Sequence, residues 1–134
     1  MSLKELQEKT HIFQSSNDAL CLGLNPSDID YLKTIGVEPV VINTRKDMEN
    51  ISEKFNILIL ALNQGIFSAF AIIERYTPSL LPNAKILIRT QGTNDIEDMK
   101  STVTRLSKPL NLEPDSYLSD DKNEMWITFT RIRK

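Results

Sequence analysis

The chain has 134 residues, 40% hydrophobic and 25% charged, with four glycines and six prolines; these amounts suit one packed domain and argue against a disordered, collagen-like or disulfide-framed chain. Sixteen basic against eighteen acidic residues leave a formal net charge of −2, so no broad positive field draws in nucleic acid or an anionic membrane. Cys21 is the one cysteine and His11 the one histidine, which removes an intrachain disulfide, an all-cysteine metal site and any catalytic triad not built on His11.

Leu3, Leu6 and Phe13 recur among Lys4, Glu5, Gln7, Glu8 and Lys9, a spacing that predicts an outer amino-terminal helix over residues 1–14 and leaves 15–134 as the domain proper. His11 falls in that predicted helix, with no matched nucleophile or orienting carboxylate. Ala19–Leu24 is a short apolar run of the buried-strand kind, and it contains Cys21, a small core residue. Asn25 then stands where it can cap a helix that opens with Pro26 and ends before Gly36. Val37–Ile42 predicts a second strand, with Pro39 near its start. A polar stretch follows, with a turn or short helix around Met48, Glu49 and Ile51.

Phe55–Leu62 gives the strongest strand expectation, because its apolar run does not alternate and so suits a strand covered on both faces. Phe67, Phe70 and Ile73 have helical spacing within Ile66–Tyr76, and Pro78 and Pro82 are expected to end that helix and shape the connector. Ala84–Arg89 predicts another strand. Thr93 or Asn94 is expected to cap a helix carrying Ile96, Met99, Val103 and Leu106. Leu112–Leu118 and Met125–Ile132, with a reversal between them, predict a terminal β-hairpin whose last strand runs antiparallel to an otherwise parallel sheet. The implied fold class is α/β, a three-layer Rossmann-like domain.

Phe55-Asn56-Ile57-Leu58-Ile59-Leu60-Ala61-Leu62, the helix after it, and Leu80-Leu81-Pro82-Asn83-Ala84-Lys85-Ile86-Leu87-Ile88 together resemble a compact or degenerate class I S-adenosylmethionine-dependent methyltransferase over roughly residues 15–134. The resemblance implies S-adenosylmethionine as the cofactor. It also implies a glycine-rich first loop and an acidic residue after the second strand. Here the first loop is Leu22-Gly23-Leu24-Asn25-Pro26, with one glycine, and the second strand ends Ile42-Asn43-Thr44. Asn43 can bond a hydroxyl but lacks the charge of a carboxylate. The expected function is therefore a noncatalytic or minimal methyltransferase-like domain that binds a small ligand or a protein. The alternatives are an active methyltransferase and a response-regulator-like module without its phosphoacceptor, since Leu62-Asn63 stands where that class carries an aspartate.

Gly23, Asn25, Asn43, Asn63 and Gly65 cluster at predicted carboxyl ends of strands and are the candidate cofactor-binding residues. Gln64, Arg89, Gln91 and Asn94 are the candidate contacts to a substrate or anion, Arg89 because a guanidinium ending an apolar strand is a rigid bidentate donor. No catalytic residue and no metal ligand is identified. Trp126, Tyr117 and Phe129 lie near Arg131, Arg133 and Lys134, but core packing explains these aromatics better than base stacking, so nucleic acid is not an expected partner. Self-association or a protein partner is expected, with Phe67, Phe70, Ile73 and Tyr76 as one surface and Met125–Ile132 as the other. No long uncharged apolar run is present, and Met1, Ser2, Leu3, Lys4 and Glu5 lack the apolar segment expected of a secretory signal, so the expected location is the cytoplasm.

Overall fold

A computed structural model describes residues 2–42, 54–61, 65–91, 95–119 and 124–132. In these segments the chain runs α1 (Leu3–Thr10), β1 (Asp18–Leu22), α2 (Pro26–Thr34), β2 (Glu38–Val41), β3 (Phe55–Leu60), α3 (Ile66–Tyr76), β4 (Leu80–Gln91), α4 (Ile96–Ser107), β5 (Leu112–Ser119) and β6 (Glu124–Arg131). Six strands form one sheet in the order β2-β1-β3-β4-β6-β5. The first four are parallel, with Leu20 beside Val40 and Leu58, and Leu58 beside Ile86. β6 enters antiparallel to β4 and β5 closes the hairpin outside it.

The unbroken apolar runs follow from two covered faces. Ala19, Cys21, Ile57, Ile59, Leu87 and Trp126 point to one side, where Leu3 and Leu6 of α1 and Leu32 of α2 close over them. Their neighbours Leu20, Leu58, Leu60, Ile86, Ile88, Ile127 and Phe129 point to the other, against Ala69, Phe70 and Ile73 of α3 and Val103 of α4. Phe70 meets Phe129 edge-on, with ring centroids 5.6 Å apart, a favoured aromatic geometry. The three-layer α/β expectation and the antiparallel last strand both hold. A response-regulator-like module would have required an all-parallel five-stranded sheet.

Several boundaries differ from the sequence expectation. α1 stops at Thr10, and His11, exposed with φ 52°, forms its left-handed C-cap rather than a helical turn. Phe13 is nevertheless buried in the apolar cluster with Leu3, Leu6 and Leu32, and Gln7 reaches past the helix end to donate to its carbonyl and accept its N–H. Pro82 does not separate helix from strand. β4 already pairs at Leu80 with Phe55, and the chain bulges out before Lys85 pairs with Ile57, Asn83 taking φ 65°. Pro82 and Asn83 are exposed there, and a bulge is where a sheet tolerates proline. Pro114 likewise sits at a register shift in β5, an edge strand. The cap of α4 is Asp95, whose Oδ1 accepts the Asp98 N–H at 3.0 Å; Thr93 and Asn94 lie outside the described residues, as does the expected turn around Met48–Ile51.

Candidate functional site

The carboxyl ends of β1, β2, β3 and β4 lie along one edge of the sheet, and the loops that leave them carry the candidate residues. After β1 the chain turns at Gly23, exposed with φ 80°, a conformation that favours glycine and leaves the backbone open to close approach. Asn25 acts within its own turn, where its Oδ1 accepts the Asp28 N–H at 2.8 Å and caps α2, the role its position before Pro26 predicts. Asp28 is buried and accepts the Leu3 N–H at 3.2 Å, tying the starts of α1 and α2 together.

Gly65 is the N-cap of α3, exposed, with φ −71° and no side-chain cap, and a Cβ added there would meet nothing within 4 Å. Neither backbone conformation nor packing demands glycine at this point. Gln91 is exposed at the tip of β4, in register with Glu124. Asn43, Asn63, Gln64 and Asn94 lie outside the described residues.

Arg89 is the most constrained of the candidates. It lies on the same face of β4 as Lys85 and Leu87, in register with Trp126 of β6. Its Cζ stands 5.9 Å from the Trp126 ring centroid, within cation–π range, and Nη2 donates to the Ala61 carbonyl just beyond β3. Its Nε is buried without a hydrogen-bond partner. Trp126, only 1% exposed, and Phe129, fully buried, present no face for a base to stack on. The part Trp126 plays, as the floor under Arg89, had no signal in the sequence, because Arg89 and Trp126 meet only through the β4–β6 register.

The proposed association surfaces are also changed by the fold. Phe70, Ile73 and Tyr76 are buried in the core, and of the four helix residues only Phe67, 63% exposed, faces outward. Met125–Phe129 is buried within β6, which lies between β4 and β5 and is not an edge. Ile132 remains exposed at its end. On the hairpin face, Lys85 donates to Thr130 at 2.6 Å, Thr130 to Asp115 at 2.5 Å, and the Lys85–Asp115 pair closes at 3.7 Å.

For S-adenosylmethionine the residues fit in part. Gly23 offers an open backbone, but among the described residues the strand ends Leu22, Val41, Ile42, Leu60 and Ala61 provide no carboxylate for a ribose. Asp28, the nearby acid of α2, is already committed to Leu3. No group of three or more metal-ligating side chains occurs among the described residues, and no described helix is long and apolar enough to cross a membrane.

No protein-family profile and no curated protein matches the sequence. Solved structures do match over nearly the whole chain. A SAM-dependent methyltransferase from Aquifex aeolicus superposes with a TM-score of 0.68 at 10% identity, covering 96% of this chain and 89% of its own. A methyltransferase from Pyrococcus furiosus gives 0.61 at 10% identity, over 98% and 82%. The N-methyltransferase NodS from Bradyrhizobium japonicum gives 0.55 at 11% identity, over 97% and 94%. At such identities the likeness is one of fold.

Proposed function

From a chain that has the class I S-adenosylmethionine-dependent methyltransferase-like fold, we propose that it acts as a noncatalytic ligand-binding domain, using the carboxyl edge of its sheet without performing methyl transfer. The observation that carries this reading is the contrast between the two halves of that edge. On the β1 side, where the fold's cofactor loop belongs, one glycine remains and Asn25 is spent on capping α2. On the β3–β4 side, Gly65 leaves open space that packing does not require, and Arg89 holds a fixed cation. Open α/β sheets place ligands along this edge.

Isothermal titration with S-adenosylmethionine and S-adenosylhomocysteine tests the reading. The expected result is no binding tighter than about 100 μM, a free energy of roughly −5.5 kcal/mol. Low-micromolar binding that is lost on substitution of Gly23 and Asn43 overturns it and favours the active enzyme. A thermal-shift screen of nucleosides, amino acids and organic acids is expected to find a stabilising ligand whose effect disappears in Gly65→Ala. Light scattering over a concentration series tests the protein-partner form of the same reading, to which exposed Phe67 supplies the remaining apolar side chain of the helix surface.

A further inference from the structure

We propose that Arg89 anchors an oxyanion site between the carboxyl ends of β3 and β4, taking the carboxylate or phosphate group of a small ligand. A guanidinium carries five N–H donors in a rigid fork. Here the Ala61 carbonyl accepts from Nη2 and the Trp126 ring lies against the guanidinium, so plane and direction are both held. Trp126 is itself locked in the core at 1% exposure, which gives the cation a rigid support.

Among the described residues the fold supplies no anion for this cation. Four residues earlier on the same face of the same strand, Lys85 has Asp115 at 3.7 Å and Thr130 at 2.6 Å. Arg89 has no carboxylate among the described residues, and its Nε has neither a partner nor solvent. Holding a cation partly out of water is costly without a counter-charge, and one carbonyl and one aromatic ring supply no full negative charge. Its place at the ligand edge of an α/β sheet makes a ligand oxyanion the natural complement, bound bidentately as guanidinium forks bind carboxylate and phosphate.

The assignment rests on the carboxyl-edge reading above but fails separately from it, since S-adenosylhomocysteine tests the β1 loop and small anions test Arg89. The ¹⁵N-labelled chain is titrated with sodium phosphate and, in a second arm, with sodium acetate, sodium chloride holding ionic strength constant. Arginine Nε–H resonances are followed, with Arg89 assigned by its loss in Arg89→Lys. The expected result is a saturable shift of the Arg89 signal in at least one arm, the tighter arm identifying the ligand group, with affinity reduced tenfold or more in Arg89→Met. An Arg89 signal that drifts without saturating in both arms overturns the assignment, and so does equal affinity in Arg89→Met. If Arg89→Met does not fold, the wild-type titration decides alone.

Discussion

Cys21 offers a quantitative test of how tightly the sheet is sealed. Its side chain is fully buried on the sheet face covered by α1 and α2, and burial pushes the thiol from its ordinary 9.0 up to about 12. In the unfolded chain the thiol titrates near its ordinary value, so above that value the unfolded state has lost a proton that the folded state still holds. The folded-state pKa is the higher one. The associated stability is therefore fully present below about pH 9 and is lost as pH rises towards 12. Between about pH 8 and pH 10 the loss amounts to roughly 1.4 kcal/mol, one pKa unit's worth. Cys21→Ala removes this titration and costs about 1–2 kcal/mol near neutral pH from lost packing. Tyr76 and Tyr117, whose hydroxyls burial also pushes up, contribute equally to both proteins and cancel in the difference. Urea unfolding of the two proteins at about pH 8, 9 and 10 measures it: the gap between them should narrow by roughly 1.4 kcal/mol across the series. A constant gap refutes the claim that the folded thiol is sealed from water.

Leu58, fully buried in the middle of β3, should cost about 2–5 kcal/mol on mutation to Ala, whereas Phe67→Ser on the exposed side of α3 should stay within about 0.5 kcal/mol, both read by chemical denaturation. Asn25→Ala removes the cap of α2 and should lower stability by about 1 kcal/mol without changing the circular dichroism spectrum. Gly36→Ala should cost more than Gly65→Ala: Gly36 has φ 87° and its added Cβ would lie 3.1 Å from Ser15 Cβ, whereas Gly65 has neither constraint. Differential scanning calorimetry should show a lower Tm for the first and a Tm near wild type for the second, and a large loss in both would mean that Gly65 is structural.

How much of this was legible in the sequence depended on how local each cause was. The Phe55–Leu62 run announced a strand covered on both faces, and Ile57 and Leu58 do pack against opposite helix layers. Asn25 before Pro26 announced a capped helix, because a cap bonds three residues away. The order of strands and helices, ending in the Leu112–Leu118 and Met125–Ile132 pair, was enough to point to the methyltransferase-like fold. Boundaries were less legible: Pro82 reads as a breaker until a bulge gives it an unpaired place.

The site was legible in type but not in partnership. Glycine, asparagine and arginine at strand ends could be picked out from their chemistry alone, yet turn geometry favours the first two whatever the function. Sequence spacing could not reveal that Asn25 is occupied by Asp28, that Phe70 and Tyr76 face inward while Phe67 does not, or that Lys85 has an acid where Arg89 has a tryptophan and a carbonyl. Elements form from side chains a few residues apart and are therefore written in order along the chain. The surroundings of Arg89 come from β3, β4 and β6, brought together by ladder register across separations of 28 residues and more, and only the tertiary structure decides which side chains share that space.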